Sequence, residues 1–294
     1  MDSSVKAAFA RARKLDRIAA GIIVVGGVAI IFTVVSMLVL IVGFAMPLFG
    51  TPTAHRVEAL QSTVSPGTRP VAAGVDDYFE LGFVVDSAGL IRILNLRQKS
   101  TRETIPLRDD GQNSTITSAE RWGGENFTFL WSDGVSTAHT VQLSVEFDDA
   151  GTRSLEADVI DRSRFDSVTT GSAPTASAIR IAGDGLVTYV ELTSNKSLTI
   201  TQQKESEDFL GNVTREDETF QLDIESLGGS PSVFNISEDG RHLFVGTQSG
   251  QIGHWDLRKI GNPELRTVVR EGHAAITALD FVFGDVTLAV GPEA

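Results

Sequence analysis

Residues 18–49 contain no charged side chain, and from Gly21 to Phe44 the only polar interruptions are Thr33 and Ser36. A helix of about 20 residues, rising about 1.5 Å per residue, crosses the roughly 30 Å hydrocarbon layer of a bilayer. The run is therefore long enough to span, even when tilted. Before it stand Lys6, Arg11, Arg13, Lys14 and Arg17 against Asp2 and Asp16, whereas residues 50–65 hold only Arg56 and Glu58. Basic residues beside a membrane helix stay on the cytoplasmic side, which sets residues 1–17 inside and everything beyond residue 50 outside. A cleaved signal peptide is the competing reading. Its apolar core is usually about 7–15 residues and is followed by a small-x-small site. This core is longer, and Met46-Pro47-Leu48-Phe49 offers no such site, so an uncleaved anchor is expected. Gly21, Gly26, Gly27, Ala29 and Gly43 give only a weak hint of a helix-packing face.

Beyond residue 17 the chain carries 20 basic against 36 acidic residues. An acidic surface repels phosphates and anionic headgroups, which argues against nucleic-acid binding. There is no cysteine, whereas secreted eukaryotic β domains are often stapled by disulfides. A bacterial envelope fits better, because an exterior of this size can bury an adequate core without staples. Asn113, Asn126, Asn195, Asn212 and Asn235 each open an Asn-x-Ser/Thr triplet. Such triplets arise by chance in sequence rich in Ser, Thr and Asn, and that is the preferred explanation.

Pro52, Pro66, Gly67, Pro70 and Gly74 mark residues 50–77 as a linker. From residue 78 to 294 short strands replace helical periodicity. Val141, Leu143, Val145 and Phe147 alternate with polar residues, Asp148-Asp149-Ala150-Gly151 turns the chain, and Leu155, Ala157 and Val159 alternate again. That pattern is a half-buried antiparallel hairpin. Similar strand–turn–strand units place glycines at 89, 134, 185 and 250. A propeller blade repeats at about 40–50 residues. The first two intervals fit, and the third requires an insertion, placed at residues 202–218.

The region from Ser232 to Leu257 resembles a WD40 blade: Trp255-Asp256 ends its third strand, and Glu238-Asp239-Gly240-Arg241 stands at the turn after its first. Gly272-His273, followed by Ile276 and Leu279, resembles the opening of the next blade. The expected fold is thus all-β, a WD40-like β-propeller of about four to five blades, apparently incomplete, preceded by one transmembrane helix. Because sheets left without neighbours expose an edge, the chain is expected to be the front part of a longer polypeptide.

The basic start with Lys14-Leu15-Asp16-Arg17, the helix leaving through Pro47-Leu48-Phe49 and the degenerate WD40-like exterior together resemble the large form of the PstC-type phosphate ABC transporter permease. That resemblance implies a bacterial inner-membrane protein with a periplasmic propeller. It also implies as partners a second permease subunit, ATPase subunits and a periplasmic phosphate-binding protein. A free-standing, signal-anchored scaffold or sensor of the envelope is the alternative.

No phosphate-binding Gly-x-x-x-x-Gly-Lys-Ser/Thr loop, dinucleotide Gly-x-Gly-x-x-Gly or Gly-x-Ser-x-Gly elbow occurs. His55, His139, His242, His254 and His273 never stand at His-x-x-x-His spacing. His242 and His254 could meet across their hairpin, and His273 reads as a structural residue of its blade. Asp86, Asp133, Asp184 and Asp239 sit at tight turns, where Asp caps its own backbone. Trp122, Trp131 and Trp255 read as core or blade-packing residues rather than a ligand platform. No enzyme activity, catalytic residue, metal or cofactor is expected.

Overall fold

A computed structural model describes residues 3–46, 64–109, 111, 113–147, 153–169, 173–207, 213–270, 272–282 and 284–292. The chain forms two units, Met1–Ala59 and Leu60–Ala294. In the first, helix α1 spans Ser3–Ala45. It takes in most of the basic segment 1–17 as well as the apolar run, because Ala, Lys and Arg in that segment are strong helix formers. It ends just before Met46-Pro47, since a residue preceding proline is driven out of the helical region. The stretch Ala20–Ala45 is long and apolar enough to cross a membrane. Its side chains, such as Ile22 and Phe44, are left exposed at 68% and 77%. Residues 47–49, the end of the expected span, lie outside the described residues.

The second unit is built from antiparallel meanders. The first sheet comprises β1 (Pro70–Val75), β2 (Leu81–Asp86), β3 (Leu90–Asn95) and β4 (Ser100–Pro106). The second comprises β5 (Ile116–Trp122), β6 (Asn126–Trp131), β7 (Ser136–Phe147) and β8 (Arg153–Phe165). The third comprises β9 (Pro174–Ile181), β10 (Leu186–Thr193), β11 (Leu198–Glu207) and β12 (Val213–Gln221). The fourth comprises β13 (Pro231–Ile236), β14 (His242–Thr247), β15 (Gln251–Asp256) and β16 (Glu264–Arg270), and β17 (Ile276–Val282) pairs with β18 (Thr287–Pro292). The first strands β1, β5, β9, β13 and β17 neighbour one another in that order. Sheets stacked radially with their first strands innermost are the blades of a propeller. Among the described residues, four full blades and a two-stranded fifth match the expected count, and the sheets remain open.

The cores lie between blades. Phe83, Ile91 and Ile93 of the first meet Ile116, Phe127, Phe129 and Trp131 of the second, with Phe83 edge-on to Phe127 at 5.5 Å. Val190, Leu198 and Ile200 meet Ile236, Leu243, Val245 and Trp255 between the third and fourth. Trp131 and Trp255 are each 3% exposed, so those two are core. Burial of one such side chain contributes about 1.5–3 kcal/mol, which makes these seams the main source of stability. Trp131 reaches across to Gly89, where a Cβ would fall 2.3 Å from its Cη2 and where φ is +81°. Gly89→Ala should therefore combine backbone strain with overpacking and cost about 2–3 kcal/mol. A lower urea midpoint measures it, and an unchanged midpoint would contradict this seam.

Three expectations are corrected. The segment 50–77 is not linker throughout, because β1 pairs with β2 through Ala72↔Val85 and Gly74↔Phe83. Its lack of bulky residues has a packing cause: a Cβ at Gly74 would lie 2.5 Å from Cε1 of Phe83. Gly185 closes the inner hairpin β9–β10, whereas Gly89, Gly134 and Gly250 close second-to-third-strand turns. The counterpart of those three in the third blade is Lys196, held at φ +66°. The supposed insertion at 202–218 is the long outer hairpin β11–β12, paired from Thr199↔Gln221 to Glu207↔Val213. The expected hairpin around residue 150 is β7–β8, paired from Ser136↔Phe165 to Phe147↔Arg153, with its tip outside the described residues.

Candidate interaction surface

Because the inner strands run the same way, the first hairpin turn of every blade emerges on one face. These turns are residues 76–80, 123–125, 182–185, 237–241 and 284–286. Each follows local chemistry. In the fourth blade, Ser237 Oγ accepts from the backbone N–H of Arg241 and His242 at 3.2 and 2.9 Å, Asp239 accepts from Arg241 N–H at 3.0 Å, and Gly240 takes φ +70°. In the first, Asp76 is 6% exposed, and its carboxylate accepts the N–H groups of Glu80 and Leu81 at 2.7 and 2.8 Å.

The turns of the second to fifth blades surround a cleft of about 650 Å³ lined by Trp122, Asn126, Arg162, Gly183, Glu238, Asp239 and Asp285. An adjoining cleft of about 320 Å³ adds Arg121, Arg180, Asn235, Asp280 and Phe281. The turns interlock. The N–H of Glu238 donates to Asp285 Oδ2 at 2.7 Å, and a Cβ at Gly123 would lie 2.5 Å from Glu238 Oε1. Asp184 receives Lys204 and Arg241 at 3.1 and 2.7 Å; the Lys204 bond is the main reason its carboxyl is held below the usual range. Trp122 is half-buried at this cleft. Its ring lies 5.3 Å from the guanidinium of Arg180.

Arg180 is the floor of the face. Its side chain is 2% exposed and pairs with Glu120 at 2.5 Å, and it donates to the carbonyls of Ile236 and Ile179 at 3.3 and 3.1 Å. One side chain from β9 thereby joins β5 and β13. A second polar seam lies between the second and third blades: Glu191, fully buried, accepts from Tyr189 Oη at 2.8 Å, Thr169 N–H at 3.0 Å and Ser167 Oγ at 3.1 Å. Burial, with the Glu191 charge adding to it, pushes the Tyr189 phenol well above its ordinary value, though a bond to Ser136 opposes the shift.

On the opposite side of the second blade, Trp131 Nε1 donates to Thr137 Oγ1 at 3.0 Å, Thr137 Oγ1 lies 3.0 Å from His139 Nε2, and His139 Nδ1 lies 2.7 Å from Asp161. Both Thr137 and His139 are at least nine-tenths buried, so this relay fixes strands. Burial lowers the His139 pKa below its ordinary 6.5, and Asp161 only partly opposes it. The unfolded chain then binds the proton more readily. Stability is full above about pH 6.5 and is lost as pH falls through the folded pKa. A fall in urea midpoint from pH 7 to pH 5, made shallower in His139→Leu, is expected; the same slope in both proteins would contradict it.

His242 Nδ1 and His254 Nε2 do meet, at 3.1 Å, with His254 stacked on Phe244 at 4.4 Å. Among the described residues no three His, Asp or Glu side chains gather as a metal-binding group. His273 is exposed, and its Nδ1 lies 2.8 Å from Arg270 Nη2. Asp86 accepts from the N–H of Ala88 and Leu90 at 3.0 and 3.2 Å, and Asp133 from that of Val135 at 3.2 Å. These carboxylates, with Asp239, cap their own turns. Of the Asn-x-Ser/Thr positions, Asn235 is buried and donates to Leu279 O at 3.0 Å, and Asn126 accepts from Thr140 at 2.6 Å. Asn235 is therefore not an open acceptor. Sequence reasoning missed Arg180 and Glu191, because an isolated Arg or Glu in a strand carries no pattern.

An open WD40-like β-propeller with a ring of inner turns around a common cleft is what the second unit defines. No protein-family model and no curated protein matches the chain. Among solved structures it is similar to the Cps50 (Swd1) β-propeller domain of Myceliophteria thermophila, at 13% identity and a TM-score of 0.47, covering 79% of this chain and 64% of that one. It is also similar to the WD40 domain of SCAP from fission yeast, at 14% identity and 0.43, covering 72% and 44%. The fission yeast SREBP–SCAP binding domains match at 13% identity and 0.42, covering 74% and 52%. The chain thus spans less than two thirds of each of these three chains, and the fold assignment rests on the sheet order described above.

Proposed function

We propose that this chain is the anchoring and docking part of a bacterial ABC transporter permease for phosphate uptake, set in the inner membrane with its N-terminus cytoplasmic and its β unit periplasmic. It is a non-catalytic component. The propeller docks or regulates, and its partners are a second permease subunit, the ATPase subunits and a periplasmic phosphate-binding protein. The observation that carries this reading is the presence in one chain of the apolar stretch Ala20–Ala45 and a propeller whose inner turns ring a shared cleft. Propellers offer broad faces to proteins, and the acidic balance of this one, 20 basic against 36 acidic residues beyond residue 17, would itself repel phosphate. Phosphate is therefore handled by a partner.

Labelled-phosphate uptake by cells producing the chain without residues 64–292 tests the proposal. Uptake about tenfold below that of the intact protein is expected. Unchanged uptake would contradict it and leave the free-standing envelope scaffold as the better account.

A further inference from the structure

Residues 76–80, the inner turn of the first blade, expose two large aromatic side chains: Tyr78 at 67% and Phe79 at 71%. Phe79 has φ +55°, a left-handed conformation that is an outlier for a bulky residue and persists only where surroundings impose it. Here the buried Asp76 imposes it. Its carboxylate holds the N–H groups of Glu80 and Leu81, and its carbonyl accepts from Phe79 N–H at 3.1 Å. Exposed aromatics on a turn already fixed lose little freedom on binding. Asp77, next in sequence, also lines a cleft of about 220 Å³ with Glu125, Arg121 and the apolar side chains of Val75 and Leu143, the first of them 55% exposed.

We propose that this turn and cleft dock a protein segment that carries lysine or arginine flanked by apolar residues. The aromatics take its apolar side chains, the apolar floor takes an aliphatic stem, and the carboxylates take its charge. Charge selects this occupant over a lipid surface: the lining cation Arg121 donates to the Gly124 carbonyl, while Asp77, Glu125 and the acidic exterior repel anionic headgroups. The inference deepens the docking role proposed above. Its failure would leave the uptake result standing, and the reverse also holds.

The test uses the full chain in phosphatidylcholine nanodiscs, with empty nanodiscs as background. The probe is a fluorescein-labelled peptide of three Lys-Val pairs spaced by Ser-Gly, compared with its Glu-Val equivalent. Saturable binding of the lysine peptide alone is expected, weakened about tenfold or more by Phe79→Gly and by Asp77→Asn. Phe79→Gly should also melt no lower than the parent, because glycine suits the left-handed backbone. Four results would each overturn the proposal: no binding of the lysine peptide, equal binding of the glutamate peptide, binding indifferent to both variants, or a marked loss of melting temperature in Phe79→Gly. Flotation with phosphatidylglycerol vesicles that disappears in Phe79→Gly would overturn it in favour of lipid.

Discussion

Replacing Arg180 by methionine should destabilise the β unit by about 3–5 kcal/mol, a large share of the roughly 5–15 kcal/mol that holds a folded protein together. Methionine fills similar space, so the loss is chiefly polar. Glu120 would lose its partner, and the carbonyls of Ile179 and Ile236 would each lose a donor. A buried acceptor left unmet costs about 1–3 kcal/mol. Glu120 is 29% exposed on its side chain, so Glu120→Gln should cost much less, about 1 kcal/mol. Urea unfolding of both variants and of the double variant measures the coupling. Equal, small losses would mean that Arg180 does not join the blades.

Glu191→Ala is expected to cost about 3 kcal/mol for a related reason. Its carboxylate is the common acceptor for the Tyr189 hydroxyl and for Ser167, Val168 and Thr169, which belong to the connection from β8 to β9. Tyr189 in turn stacks on Phe165 at 4.8 Å, with the rings 8° from parallel. Loss of Glu191 should therefore loosen the seam between the second and third blades before the others. Amide exchange should rise first at Thr169 and Val168, while the Phe83–Phe127 seam stays protected. Uniform acceleration across all blades would contradict a local role.

The parts of the fold that were legible in the sequence are those written in local pattern. Charge-free residues 18–49 marked the membrane-length helix, alternation at Val141–Phe147 marked β7, and Trp255-Asp256 marked the end of β15. Residues whose identity is set by a distant neighbour were not legible. β1 looks like linker because Gly74 must clear the ring of Phe83. The blade repeat was misregistered because Lys196 fills a left-handed position that glycine fills in other blades. Likewise, Arg180 and Glu120 are sixty positions apart in sequence, and no local rule pairs them. The turn at residues 76–80 is a different case, since the left-handed φ of Phe79 is imposed by the buried Asp76 side chain and leaves no mark in the local pattern.

Because the chain contains no cysteine, its placement in the membrane can be read from single introduced thiols. Ser4→Cys and Thr214→Cys are made separately in the full chain, and intact spheroplasts are treated with a membrane-impermeant maleimide. The account predicts that Thr214→Cys is labelled, that Ser4→Cys is labelled only after lysis, and that both proteins keep their full mass in the membrane fraction. Labelling of Ser4→Cys from outside, protection of Thr214→Cys, or loss of the N-terminal helix from the mature protein would contradict it.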